Sequence, residues 1–229
     1  AGNISSTMTT PPVNTVIIDT GVPTITSVSL TPNNGYRKIG QTVLITVTAG
    51  ANEIGLTPSA ATFNGQQIAL TDQNDGTYTG TYTVVEGQAN ATNPEATNIT
   101  LTDAANNVST AASSVGSTLI IDPNKPSGSI TVIAPSAGIL GLDDIITLTV
   151  AAGSNETSLT LAGTINGQNG FNVQALAGGN AGKYTIDYQI AEGDANVASG
   201  ALAASLTLTD LAGNISSTMT TPPVNTVII

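Results

Sequence analysis

Residues 1–18, AGNISSTMTTPPVNTVII, occur again without a change as residues 212–229. An identical stretch of that length at an offset of 211 residues is not a chance event, so the chain reads as a window on a tandem array whose unit is about 211 residues. The unit itself divides. Ile17-Ile18-Asp19 returns as Ile120-Ile121-Asp122, and each Asp is followed four residues later by a proline, Pro23 or Pro126. The matches continue in order: Ala49 to Glu53 with Ala152 to Glu156, Tyr78 and Tyr82 with Tyr184 and Tyr188, Glu86-Gly87 with Glu192-Gly193, and Leu101 to Asp103 with Leu208 to Asp210. The expected organisation is therefore residues 1–18 as the last strand of a preceding repeat, 19–121 as a first domain and 122–229 as a second, diverged one. The array would alternate the two.

The local pattern is that of strands. Apolar residues alternate with Thr through 42–48, 97–102, 145–150 and 206–208, the period of a half-buried antiparallel strand. No segment carries a helical stripe. About seven strands fit each stretch of roughly 100 residues, with turn residues between them, which predicts an all-β fold of tandem immunoglobulin-like antiparallel β-sandwiches. In the first domain the strands are expected at 24–30 (A), 42–47 (B), 60–63 (C), 77–85 (E), 97–102 (F) and 108–121 (G), with a turn at Asn64-Gly65. There is no Cys and no Trp, so the core has to be aliphatic. The tyrosines spaced i and i+4 on strand E point to one side, as covers for that core or, alternatively, as a ligand platform.

The Thr-Asp-x-Ala-Gly-Asn turn at Asp210 to Asn214, its degenerate form at Asp103 to Asn107, the Ile-Asp-x-x-x-Pro linkers and the Tyr-Thr and Glu-Gly stretches together resemble the bacterial immunoglobulin-like repeats of giant cell-surface adhesins of the biofilm-associated and RTX type. The likeness runs over essentially the whole chain. It implies a secreted extender, often with calcium at its domain junctions.

One constellation carries chemistry. In such a sandwich the BC loop, the FG turn and the start of strand A meet at the pole facing the preceding domain. For the first domain that pole collects Asp19, Glu53, Asp103 and Asn107. For the second it collects Asp122, Glu156, Asp210 and Asn214. Only Lys125, close to Asp122, brings a positive charge near either matched set. Carboxylates drawn together without cations resist ionisation, and a hard cation with oxygen ligands, calcium best of all, resolves the conflict. Glu86 in the EF loop at the far pole of the first domain is placed to reach the Asp122 junction, and Glu192 with Asp194 to serve the next one outward. The competing reading is that Asp103 and Asp210 only cap their own turns and that Glu53 and Glu156 are solvated loop acids. Asp72, Asp75, Asp143 and Asp144 read as ordinary turn acids, and sequons such as those at Asn90, Asn98 and Asn155 arise by chance in so Asn- and Thr-rich a chain.

Fifteen acids against four bases give a net charge of −11. That balance repels nucleic acid and anionic membrane surfaces, and no apolar run is long enough to span a bilayer. His and Cys are both absent, which removes the usual general base and thiol nucleophile. An enzyme is the least expected class, although a glycosidase-like carboxylate pair stays open. The leading expectation is an extracellular extender whose partners are neighbouring repeats. The alternatives are a filament or surface-layer subunit whose copies exchange residues 1–18 as a donor strand, and a glycan- or protein-binding adhesive module.

Overall fold

A computed structural model describes residues 17–220 and 222–229. The expected donor-strand segment, residues 1–18, therefore lies outside the described residues except for Ile17 and Ile18, which are exposed and outside any strand. The first repeat contributes β1 (Ile25–Thr31), β2 (Asn34–Lys38), β3 (Thr42–Ala49), β4 (Thr57–Pro58), β5 (Ala61–Phe63), β6 (Gln66–Ile68), β7 (Thr71–Asp72), β8 (Thr77–Thr83), β9 (Ala91–Thr92), β10 (Leu101–Thr102) and β11 (Thr118–Asp122). The second contributes β12 (Gly128–Ala134), β13 (Ala137–Ile139), β14 (Ile145–Ala152), β15 (Thr160–Ile165), β16 (Gln168–Asn169), β17 (Phe171–Ala175), β18 (Lys183–Gln189), β19 (Ala204–Thr209) and β20 (Thr226–Ile228). Apart from short 3-10 turns there is no helix among the described residues, and none is long and apolar enough to cross a membrane.

The chain is all-β and each repeat builds the immunoglobulin-like sandwich. One sheet runs β1-β3-β8-β7 in the first repeat and β12-β14-β18-β17 in the second. The first strand then switches sheets. Its second half, β2 or β13, runs parallel to the last strand, β11 or β20. This switch is absent from the period-two reading because its segments, Asn34–Lys38 and Ala137–Ile139, carry few buried side chains. It completes each sandwich without a hydrophobic stripe to announce it.

By contacts the residues group into two compact units. One holds residues 17–31, 44–81 and 95–115. The other holds 32–43, 82–94 and 116–229. In the first, β3 buries Val47 and Ala49 while its Thr side chains alternate outward. Asn64 and Gly65, at φ 46 and 72, make the β5–β6 turn, the left-handed pair that favours Asn-Gly in a two-residue hairpin. Strand F is shorter than its Thr alternation suggests. Only β10 is ladder, with single bridges at Thr97 and Ile99. Asn98 takes φ 61 and the Thr100 amide goes to the Ser59 hydroxyl. Strand G is likewise bridged only at Val108 and Ala112 before β11. Buried serines replace backbone partners there: the Leu101 amide donates to Ser109 Oγ at 2.9 Å and the Ala96 amide to Ser114 Oγ at 2.8 Å.

In the second unit the core of the second repeat lies between β14 and β18 on one side and β15 and β19 on the other. Ile146, Leu148 and Val150 face Ile165, Leu206 and Leu208. Residues 212–220 and 222–229 close this sandwich, with Met219 bridged to Leu206 and Val227 fully buried in β20.

The tyrosines settle as core covers. Tyr78, Tyr82, Tyr184 and Tyr188 are at most 2% exposed, and each hydroxyl leaves the core to hold a loop. The Tyr184 hydroxyl accepts the Leu159 amide and donates to the Glu156 carbonyl. Tyr78 makes the same pair of bonds with Leu56 and Glu53. Replacing Tyr184 by Phe leaves a buried amide and a carbonyl unpartnered, so Tyr184→Phe is expected to lower unfolding free energy by about 1–3 kcal/mol, read as a shifted urea midpoint at unchanged m-value.

Candidate functional site

The BC loops are built alike. A short 3-10 turn, Gly50–Asn52 or Gly153–Asn155, follows β3 or β14 and ends on Glu53 or Glu156. Its middle residue, Ala51 or Ser154, is left-handed at φ 52 or 53. The first glycine donates its amide to Thr24 or Ser127 at the start of strand A, 2.8 Å in both cases. A side chain on either glycine would run into that Thr or Ser. The tyrosine hydroxyl fixes the glutamate carbonyl from beneath, so the exposed residues Glu53 and Glu156 sit on loops anchored to the core.

The FG turns are also alike. Asp103 Oδ1 accepts the Ala105 and Asn107 amides and Oδ2 accepts Asn107 Nδ2 at 2.8 Å. Those bonds, the Asn107 side chain first, hold the Asp103 pKa below the usual carboxylate value. Asp210 accepts the Asn214 amide at 2.8 Å and Asn214 Nδ2 at 2.9 Å. Both aspartates thus act as caps of their own turns, with one face of each carboxylate committed.

Each asparagine also ties the turn to the linker. Asn107 Nδ2 donates to the Asp19 carbonyl at 3.3 Å, and Asn214 Nδ2 to the Asp122 carbonyl at 3.0 Å. In the second unit the contact extends to the end of β2. The Ile39 amide donates to Asn214 Oδ1 at 3.0 Å, and Lys38 Nζ donates to the Gly213 carbonyl at 2.9 Å. Asn214 is 3% exposed, a buried amide with both its oxygen and its nitrogen used. Gly213 has φ 90, and a side chain there would point at Lys38 Nζ, 3.4 Å from its Cβ. Around this bolt, Gly87 donates its amide to the Pro123 carbonyl, Asn124 Nδ2 to Asn90 Oδ1, and Lys125 pairs with Glu86 at 2.8 Å. The ion pair is about half exposed on both sides, so it adds at most about 1 kcal/mol. The buried amide and Lys38 carry the joint.

The acids at this joint are not neutralised. Partial desolvation, then the charges of Asp210 and Asp122, raise the Glu156 pKa above its ordinary value. Glu86 is spent on Lys125. Asp194 is a loop cap, accepting the Ala191 amide, the Tyr188 hydroxyl and Gln168 Nε2, which lower its pKa in that order of bonds. No hydrogen bond involves the Glu192 carboxylate among the described residues. Asp72 and Asp75 cap the turn before β8, and Asp144 caps Gly141. Among the described residues no three such groups stand close enough together to make a ready metal centre. Sequence reasoning missed Lys38 and the Ile39 amide. Lys38 is one of only four cations, and that scarcity was the available signal. An open cleft of about 480 Å³ lies beside the joint, floored by Gly128 and Met219 and flanked by the Glu86–Lys125 pair.

No family model and no curated protein matches the chain. It is similar to solved structures. With a 1.5-MDa bacterial ice-binding adhesin it shares 19% identity over 90% of this chain and 63% of that one, at TM-score 0.38. With a DUF4785 family protein of Legionella pneumophila the figures are 14%, 81%, 52% and 0.33, and with murine CEACAM1b 13%, 88%, 99% and 0.35. The chain thus spans less than two thirds of the adhesin structure and about half of the Legionella one.

Glu156 gives a pH test. Its folded pKa lies above the unfolded value of about 4.5, so the unfolded state releases the proton first and stability falls as pH rises through the window above that value. In the absence of divalent cations, Glu156→Gln should raise Tm at about pH 7 and leave it unchanged at about pH 4. An equal effect at both would show that the glutamate charge is not opposed.

Proposed function

We propose that the chain is a spacer segment of a secreted or cell-surface adhesin or fibre, a rod of alternating immunoglobulin-like repeats that holds another domain away from its anchor. The observation that carries this reading is the seating of the second repeat's FG turn on the end of β2 through Asn214 and Lys38. A buried amide bonded through both its oxygen and its nitrogen ties one repeat to the next, and the return of residues 1–18 as 212–229 means that the unit recurs. Each sandwich adds roughly 30–45 Å of reach, from strands of about ten residues. The aromatic rings that a glycan platform would expose are mostly in the core. The exceptions, Tyr36 and Phe171, are only 39% and 44% exposed. With neither His nor Cys in the chain, the usual base and thiol nucleophile are missing, and the buried carboxylate of Asp187 is taken up by Thr147 and Asn172.

Calcium at the joints belongs to the same proposal. At the second-repeat joint the oxygens still open to a cation are the Glu156 carboxylate, Asp122 Oδ2, its Oδ1 accepting the Asn124 amide, and the outer face of Asp210. Binding would draw these three together and offset the repulsion from Asp210 and Asp122 that adds to the desolvation of Glu156. Glu53, Asp19 and Asp103 are their counterparts in the first repeat. The Asn214 amide is already committed to the joint and the Glu86 carboxylate to Lys125. A cation bound to the folded state alone raises stability by mass action.

The expected outcome is a higher Tm and a narrower distance distribution in small-angle scattering with millimolar calcium than with chelator. If neither moves, the calcium part fails. If the maximum dimension does not grow in step with the number of units in chains of one and two units, the spacer reading fails.

A further inference from the structure

The turn that receives the second repeat has an equivalent at the end of the second repeat itself. The Gly40 amide donates to the Val84 carbonyl and the Gln41 amide to the Lys38 carbonyl; the Asp143 amide donates to Ile190 and the Asp144 amide to Gly141 in the same pattern. The Gln41 side chain accepts the Lys38 amide, as Asp144 accepts that of Gly141. Leu142 therefore stands where Ile39 stands, and Gly141 where Lys38 stands. The EF loops match too: Gln88 and Asp194 each accept a tyrosine hydroxyl and the amide three residues back.

The receiving ends match in turn. Asn107 is bonded to Asp103 and to the Asp19 carbonyl as Asn214 is to Asp210 and Asp122. Among the described residues, no hydrogen bond uses Asn107 Oδ1 or the Leu142 amide. Leu142 is 63% exposed. One unfilled acceptor and one unfilled donor are the two halves of the contact that Asn214 and Ile39 make.

We infer that the head of the first repeat, centred on Asn107, docks on the 141–144 turn of a second copy of the unit, and that this joint, unlike the one inside the unit, is held against its own charge. The inference rests on the spacer reading. A head-to-tail contact of this kind repeats from unit to unit along the chain.

The two joints differ in chemistry. The joint inside the unit has Lys38 and Lys125 against Glu86, Asp122, Glu156 and Asp210. In the joint between units, Gly141 and Val22 take the places of the two lysines. Asp143, Asp144 and Asp194 replace Gly40, Gln41 and Gln88, and Glu192 stays acidic. These face Asp19, Glu53 and Asp103. Asp103 and Asp194 are hydrogen-bonded in the ionised form and keep their charge. Seven carboxylates without a matched cation repel across the contact, and salt screens that repulsion over about 8 Å at physiological ionic strength. The rod therefore alternates a latched joint with a salt-dependent one.

The test uses a two-unit chain, residues 1–229 continued by 19–229. The chain has no cysteine of its own, so paired cysteines on exposed strand positions report the spin-label distance across each joint separately. The distribution across the joint inside a unit should stay narrow from about 20 mM to about 500 mM NaCl. The one between units should be broad at the low end and narrow at the high end. Asn107→Ala in the second unit should broaden the joint between units at every salt concentration and leave the other unchanged. Gly141→Lys with Val22→Lys should reduce the salt dependence of the joint between units, and Lys38→Gly with Lys125→Val should make the joint inside the unit salt-dependent. Two equally narrow, salt-independent joints, or an Asn107→Ala chain that behaves as the parent, overturn this inference and leave the spacer reading standing. Two joints that are broad under all conditions overturn both.

Discussion

Two tyrosines per repeat close a sandwich that has almost no other aromatic mass. Their rings lie in an aliphatic core, and their hydroxyls emerge at opposite ends of the same strand. In the second repeat Tyr184 holds the BC loop and Tyr188 holds the EF loop through Asp194. A phenolic hydroxyl in an apolar core needs a partner, and here the partner is the loop that presents the acids. The aliphatic core thereby sets loop position at both poles, and Glu156 and Asp194 are held by the same strand.

The FG turn does more than cap itself. Asp103 and Asp210 do cap their turns, as Asx geometry favours, and the capped turn orients an asparagine outward. In the second repeat that asparagine reads two backbone groups, an amide and a carbonyl, at the ends of β2 and β11. The carboxylates around it then lie at a joint of fixed geometry, where Glu156 feels its neighbours. Cation binding, on the proposed reading, is an addition to a joint that already exists and not its cause.

On the proposed reading, both joints carry acids and only the one inside the unit carries lysines, which would give a chain of strongly negative charge an ordered pattern of stiffness. A rod with every joint latched transmits load without yielding. A rod with every second joint opposed by charge yields at defined intervals and responds to ionic strength. On the same reading, the divergence of the two repeats, within a unit whose terminal segment is duplicated without change, would divide labour between two kinds of contact.

The identical terminal segments, the ordered landmarks and the period-two Thr pattern sufficed for the class of fold and the sandwiches. Hydrophobic alternation and repetition are local properties and are written directly in the residues. The matched Asp, Glu and Asn positions were legible for the same reason. The strand switch to β2 and β13 was not, since those segments carry few buried side chains and pair through backbone alone. Strands F and G were read too long because serine hydroxyls do the work of ladder partners at Leu101 and Ala96. The joint was legible least of all. Lys38 and Gly213 are 175 residues apart, and the groups that Asn214 binds are an amide and a carbonyl that any residue would supply. Which backbone groups meet is decided by how strands pair in space, and only the tertiary structure fixes that.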